Sequence, residues 1–171
     1  MAARPCVLDA SLLISLGKAG QVHILPKAPS YRWHIGPITR TELRRPETQG
    51  PVERLIVEGL ITPEELNSED AAGMALFAEW SERVDPGEAE AIAIALARAW
   101  LVGLEDLDAR RQLDRRTGPG RWINCANILL DAMRAGTMNL AEADEVFRQL
   151  DVFSSYEKAG IRSLADLGKP R

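Results

Sequence analysis

Residues 6–16 read CVLDASLLISL, a short apolar run that ends at an acid and is followed by a second apolar run. Three apolar residues before Asp9 are typical of a buried strand, and Gly17 and Gly20 end the segment that follows. The stretch therefore predicts a strand that leads directly into a helix, with Asp9 at the junction. This acid either caps the helix or faces a ligand beyond the carboxyl end of the strand.

The same alternation of short strands and helices continues along the chain. Apolar runs predict further strands near residues 33–35, 60–61, 101–104 and 122–123. Periodic apolar positions and helix-start signals predict helices over 39–47, 51–58, 70–83, 86–100, 109–116, 125–135 and 140–150. This order predicts an α/β fold with a central parallel sheet and helices on both faces, a three-layer α/β/α arrangement.

Three segments carry signatures of a helix start. Residues 39–42 (TRTE) and 62–65 (TPEE) match the capping box, and residues 85–88 (DPGE) combine an acidic cap with a proline at the first helical position. The helix predicted after the third signature is apolar around nearly its whole circumference, apart from Glu90 and Arg98. Such a helix is buried in the core.

Composition indicates one globular unit. The chain has 171 residues, of which 46% are hydrophobic and 27% charged, and no internal boundary is visible. We expect one domain over residues 1–151 and a C-terminal extension over 152–171. No apolar stretch is long enough for a membrane helix and no secretory signal is evident, so we expect a cytoplasmic protein. Two cysteines and two histidines, without ligand spacing, indicate neither a disulfide framework nor a zinc site.

Charge is distributed unevenly. The net charge is -4, yet 17 of the 21 cationic residues are arginines, and five of these lie within twelve residues: Arg110, Arg111, Arg115, Arg116 and Arg121. Arginine suits phosphate groups because its guanidinium is a rigid fork of donors. A solvated helix face is the alternative interpretation of this cluster.

Five acids are candidates for chemistry, and each has a structural alternative. Asp9 and Asp106 follow predicted strands and can cap the next helix, while Glu42 and Glu88 can be the last members of capping boxes. Glu90 lies too far into its helix to cap it. A buried carboxylate there requires water or a cation. Glu88 and Glu90 are about 200° apart around the helix, so they cannot both face one site.

Four segments, in this order, resemble the PIN-domain family, in particular its short prokaryotic members that include VapC-like toxin ribonucleases. They are residues 7–14 (VLDASLLI), 38–43 (ITRTEL), 87–93 (GEAEAIA) and 104–110 (LEDLDAR). Three departures stand out: Glu90 occupies a position where many members have aspartate, Glu105 precedes Asp106 where an aspartate pair is common, and Trp122-Ile123-Asn124 replaces a small polar residue followed by glycine.

The resemblance implies a PIN fold in which acids bind Mg²⁺ or Mn²⁺ and hydrolyse RNA. Asp9, Glu42, Glu90 and Asp106 occupy the matching positions, as both metal ligands and catalytic residues. Whether Glu88, Glu105 or Asp108 supplements them stays open. The arginines that flank these acids are the predicted RNA contacts: Arg40, Arg44, Arg110 and Arg111.

The leading hypothesis is a metal-dependent endoribonuclease that acts as the toxin of a toxin–antitoxin pair, with a small antitoxin protein as partner. The alternative is a catalytically inactive PIN-fold module that binds RNA or protein. A haloacid-dehalogenase-type phosphatase is disfavoured because Ser11, not aspartate, stands two residues after Asp9. We also expect a homodimer. Five apolar residues are either its interface or local core: Leu55, Ile56, Leu60, Phe77 and Trp80.

Overall fold

The computed structural model describes residues 2–167, which form a parallel five-stranded sheet with helices on both faces. The strands are β1 (Arg4–Leu8), β2 (Tyr31–Ile35), β3 (Ile61–Pro63), β4 (Leu101–Gly103) and β5 (Trp122–Ile123), in the order β3-β2-β1-β4-β5. The predicted three-layer α/β/α fold is confirmed. Because all strands are parallel, their carboxyl ends meet at one edge of the sheet.

Ten α-helices and one short 3-10 helix connect and follow these strands within the described residues. The 3-10 helix is Val22–Lys27. The α-helices are α1 (Ala10–Lys18), α2 (Pro37–Glu42), α3 (Pro46–Val57), α4 (Ala71–Ser81), α5 (Pro86–Ala97), α6 (Leu107–Thr117), α7 (Cys125–Arg134), α8 (Leu140–Gln149), α9 (Phe153–Lys158) and α10 (Leu164–Leu167).

The two faces of the sheet have separate apolar cores. On one face, Cys6 and Leu8 of β1 pack with α1, α3, α7 and α8. On the other, Val7 packs with α4, α5 and α6. This division follows from the period of two along a strand, which sends successive side chains to opposite faces. Helix α5 lies in the second core with its residues 89–95 buried, as the sequence predicted.

Two of the predicted helix starts are wrong. Helix α2 begins at Pro37, after Gly36, and ends at Glu42, so Thr39 is not its cap and Glu42 is not the third residue of a capping box. Residues 61–63 pair with β2 as the edge strand β3, where the sequence predicted that Thr62 caps a helix. Proline is tolerated in β3 because an edge strand needs fewer ladder hydrogen bonds.

The apolar residues considered for a dimer interface fall into two groups. Trp80 and Leu55 are buried in the two cores, so they are local core. Leu60 is 43% exposed, and Ile56 and Phe77 are partly exposed. No helix in the described part of the chain is long and apolar enough to cross a membrane.

The predicted C-terminal extension contains two short helices, α9 and α10, within the described residues. Phe153 and Tyr156 of α9 pack against the first core, and Leu164 of α10 is buried in it. The Tyr156 hydroxyl also accepts a hydrogen bond from Asn124 Nδ2 at 2.8 Å. The tail of the predicted extension, residues 168–171, lies outside the described residues.

Candidate active site

The candidate site lies at the carboxyl ends of the two central strands. Strands β1 and β4 are neighbours, with Leu8 opposite Gly103, and the Asp9 amide donates to the Gly103 carbonyl at 3.0 Å. Asp9 is the N-cap of α1 and Asp106 is the N-cap of α6. Sheet pairing therefore places the junction that carries Asp9 next to the one that carries Asp106.

Asp9 is fully buried but incompletely hydrogen bonded. Its Oδ2 accepts from the Ser11 amide at 2.8 Å, while its Oδ1 has no partner among the described residues. Burial raises the pKa of Asp9 to about 6, against the lowering effect of the Ser11 hydrogen bonds, and the charge on Glu42 raises it further. Charging this carboxyl is therefore costly, and one of its oxygens lacks, within residues 2–167, a partner that would stabilise the charge.

Glu42 and Glu90 join α2 to α5 in a reciprocal way. Glu90, on α5, accepts hydrogen bonds from the amides of Ile38 and Thr39 in the first turn of α2, at 2.9 and 3.1 Å. Glu42, the last residue of α2, accepts one from the Gly87 amide in the first turn of α5, at 3.1 Å. Each helix thus receives a carboxylate from the other at its N-terminus, where backbone amides lack partners.

Close backbone approach makes this exchange possible. A Cβ on Gly36 would lie 2.1 Å from Glu90 Oε2, and a Cβ on Gly87 would lie 2.2 Å from Glu42 Oε2. Glu90 is only 4% exposed, and burial raises its pKa, while the amides of Thr39 and Ile38 lower it and the charge on Glu42 raises it. The buried Glu90 carboxylate thus finds its hydrogen-bond donors in the backbone amides at the start of α2.

Glu88 lies close enough to Asp9 and Asp106 for their charges to act on it. Burial raises the pKa of the Glu88 carboxyl to about 7, and the negative charges of Asp9 and Asp106 add to the increase. The Asp85 amide lowers the pKa of Glu88, but the Asp85 side chain accepts no hydrogen bond from the helix, so the predicted capping box is not formed. The structure thus brings a residue that the sequence argument assigned to capping into the charge field of Asp9 and Asp106.

The other acids near the site differ in their contacts. Glu105 is 8% exposed; its Oε2 accepts from the Cys125 amide at the start of α7, at 3.0 Å, while its Oε1 has no partner among the described residues. Asp108 is exposed beside Arg111, 3.4 Å away. A cleft of about 390 Å³ is lined by residues that include Glu88, Asp106 and Asp108. Within residues 2–167, no three acidic, histidine or cysteine side chains are already arranged as a metal-binding group.

The four arginines predicted to contact RNA have different surroundings. Arg110 donates to the carbonyls of Glu105 and Asp106, both at 3.2 Å, and its guanidinium lies 4.8 Å from the centre of the Trp122 ring. This places Arg110 at the rim of the site. Arg40 instead forms a two-pronged pair with Glu53 in a separate 850 Å³ cavity. Arg44 and Arg111 are exposed.

Comparison with known families agrees with this architecture. A sequence model of the PIN domain matches residues 5–159. The chain belongs to the PIN-domain family. PIN domains are typically nucleases, generally use divalent metal ions and commonly bind RNA. No curated protein matches the chain.

The sequence left open whether Glu88 supplements the acids of this PIN domain, and it did not indicate that the charges of Asp9 and Asp106 act on Glu88. The available signal was helical phase: Asp85 and Glu88 are three residues apart and share a face of α5. That face opens onto the cleft because Asp85 and Glu88 both line it. The partners of Glu90 lie 51 and 52 residues away along the chain, so no local pattern could have identified them.

Proposed function

We propose that this PIN domain is a metal-dependent endoribonuclease that hydrolyses RNA phosphodiester bonds at the carboxylates around Asp9. The observation that carries the proposal is the buried Asp9 carboxylate, whose Oδ1 is unpartnered and whose pKa is raised by burial and by the charge on Glu42. Mutual repulsion among buried carboxylates is resolved by a divalent cation. The donor set, composed of carboxylate oxygens, fits Mg²⁺ or Mn²⁺.

Asp9, Glu42 and Asp106 would hold this cation, with Glu88 or Glu90 as a further ligand. The charge coupling of Glu88 to Asp9 and Asp106 supports Glu88. The family resemblance supports Glu90, although its carboxylate is hydrogen bonded to the start of α2. On the first assignment Glu90 is a positioning residue, because it fixes the helix that ends at Glu42.

The chemistry supplied by bound Mg²⁺ or Mn²⁺ would be activation of a water for attack on phosphorus and neutralisation of charge on the phosphate oxygens. The protein's own groups would orient the substrate. Arg110 is held over the Trp122 ring with its guanidinium beside Asp106, where it can contact a backbone phosphate. Arg40, Arg44 and Arg111 are proposed as further contacts, and Arg40 would have to exchange Glu53 for phosphate.

The biological role we propose is that of a cytoplasmic toxin whose partner is a small antitoxin protein. PIN domains often have antitoxin partners, which supports this role for a short PIN-domain chain. We also propose a homodimer, since closed two-fold symmetry is the commonest arrangement of small proteins. The exposed apolar side chains of Leu60 and Val57, beside β3, are available to such an interface.

The test is cleavage of a labelled single-stranded RNA with Mn²⁺ and with a chelator. We expect wild type to cleave only with Mn²⁺, and Asp106→Asn to lose activity at least about 100-fold, since an amide lacks the charge that binds the cation. Its fold should survive because asparagine caps a helix about as well as aspartate. Asp70→Asn, which makes the same change at the N-cap of α4, is the matched control and should retain activity.

Glu88→Gln and Glu90→Gln separate the two ligand assignments. Loss of cleavage in Glu88→Gln, with only a partial loss in Glu90→Gln, would support Glu88 as the ligand. The reverse result would support Glu90. Wild-type protein that binds RNA, shows no Mn²⁺-dependent cleavage and has no Mn²⁺-dependent shift in melting temperature would favour the inactive binding module.

A further inference from the structure

A second cleft adjoins the acidic one and is lined by cations. We call it the arginine cleft; it has a volume of about 300 Å³ and is lined by Arg83, Gln112, Arg115 and Arg116. Arg83 and Gln112 also line the cleft that contains Glu88 and Asp106. The two clefts are therefore contiguous, so one elongated ligand can occupy both.

Helix α6 connects the two clefts along one of its faces. Asp108, Gln112, Arg115 and Arg116 follow one another at spacings of four, three and one residues, so all four lie within an arc of about 100° around the helix. The helix rises about 1.5 Å per residue, so the face extends about 12 Å from Asp108 to Arg116. It changes along its length from acidic, beside Asp106, to basic. Arg83 comes from the turn between α4 and α5, so the cationic end is built from two elements.

The arginine cleft has an excess of positive charge. Glu79 lies between two of its arginines, with Oε1 at 3.5 Å from Arg83 Nη2 and 3.3 Å from Arg116 Nε. Arg115 forms no ion pair with any residue in the described part of the chain. The cleft thus holds three guanidinium groups, of which two share the Glu79 carboxylate. Their exposed side chains leave donors free for an anion.

We propose that the arginine cleft binds the phosphodiester backbone of the RNA segment next to the scissile bond, so that the strand runs along α6 from Asp106 towards Arg116. This inference rests on the proposed nuclease function, because it uses the acidic cleft as the point of cleavage. A nucleic acid fits better than an acidic peptide, since the cleft is lined by guanidinium and amide groups without an apolar side chain to anchor a peptide.

The first test measures binding of a single-stranded RNA oligonucleotide, with a chelator present to prevent cleavage, across a salt series. Each phosphate contact contributes about 0.7 to the slope of log K against log[salt] for single strands. Arg115→Gln/Arg116→Gln should lower that slope by about 1.4, which corresponds to an affinity about 25-fold lower at 0.1 M salt. Arg134→Gln/Arg148→Gln removes the same charge from α7 and α8 and should leave the slope unchanged.

The second test compares substrates of different length. With Mn²⁺, Arg115→Gln/Arg116→Gln should cleave a dinucleotide as wild type does, because a dinucleotide occupies only the acidic cleft. The same variant should show a raised KM and an unchanged kcat for the longer RNA. A structural role for these arginines would instead reduce cleavage of both substrates.

The outcomes separate this inference from the proposed nuclease function. One outcome is that wild type cleaves no RNA while Arg115→Gln/Arg116→Gln binds RNA more weakly than wild type, as expected. That result would support the arginine cleft as an RNA-binding site and refute the nuclease function. If Arg115→Gln/Arg116→Gln has the same RNA affinity and salt slope as the control variant, the proposed nuclease function is unaffected, but the inference about the arginine cleft is wrong. Absence of RNA binding by wild type would also overturn it, as would competition by polyglutamate as strong as that by RNA of equal charge.

Discussion

Relative to wild type, Asp9→Asn should stabilise the folded protein more at neutral pH than at acid pH. Burial raises the pKa of Asp9 from 3.8 to about 6. The folded protein therefore holds this proton more tightly than the unfolded chain, so wild type loses stability as the pH rises between these values, and the loss is complete above about pH 6. A difference of about two pKa units corresponds to about 3 kcal/mol.

The assay is urea unfolding of both proteins with a chelator present, near pH 4.5 and near pH 7.5. The ionisation of Asp9 costs wild type about 1 kcal/mol at the lower pH and about 3 kcal/mol at the higher pH. The free energy of unfolding of Asp9→Asn, minus that of wild type, should thus rise by about 2 kcal/mol. Any pH-independent cost of burying the new amide cancels in this comparison.

A second N-cap carboxylate provides the matched control. Asp70 accepts a hydrogen bond from the Gly73 amide at 2.8 Å and caps α4, away from the acids of the site. Asp70→Asn controls for replacing a helix cap by its amide. If the difference between Asp9→Asn and wild type is the same at both pH values, burial does not control the ionisation of Asp9 and our reasoning is refuted.

Two further changes test the packing and capping of the scaffold. Gly17→Ala should lower the free energy of unfolding by about 2 kcal/mol, because its Cβ would lie 1.9 Å from Thr48 Oγ1 and 3.0 Å from Thr48 Cα. Helix propensity alone predicts the opposite sign, so a more stable variant in urea unfolding would contradict the close contact of α1 with α3. Asn139→Ala should cost about 1 kcal/mol, because it breaks the capping box formed with Glu142; an unchanged melting temperature would argue against that box.

The parallel sheet could be predicted from sequence because short apolar runs ended at breakers or acids. The predicted helix starts at Thr39 and Thr62 failed for tertiary reasons. Thr39 matches a capping box, but Pro37 already begins α2, and the Thr39 hydroxyl donates to the Gly87 carbonyl of another helix at 3.4 Å. Thr62 pairs in register with His34 at the sheet edge. A capping motif is a local pattern, so it cannot show that β2 lies beside this segment and pairs with it as a strand.

The acids at the strand ends could also be located from sequence, because a parallel sheet gathers its carboxyl ends. Helical phase predicts that Glu88 and Glu90 point in different directions. It could not decide which of them faces Asp9, because that depends on how α5 is rotated against the sheet. The structure gives Glu88 the charges of Asp9 and Asp106, and gives Glu90 the amides of Ile38 and Thr39.

The exchange of carboxylates between α2 and α5 has a consequence for how this chain can evolve. Loss of Glu90 would leave the Ile38 and Thr39 amides without their acceptor, and loss of Glu42 would do the same to the Gly87 amide. The glycine opposite each carboxylate leaves no space for a Cβ. Loss of either carboxylate therefore destabilises the start of the other helix, and we expect changes in these two short segments to be coupled.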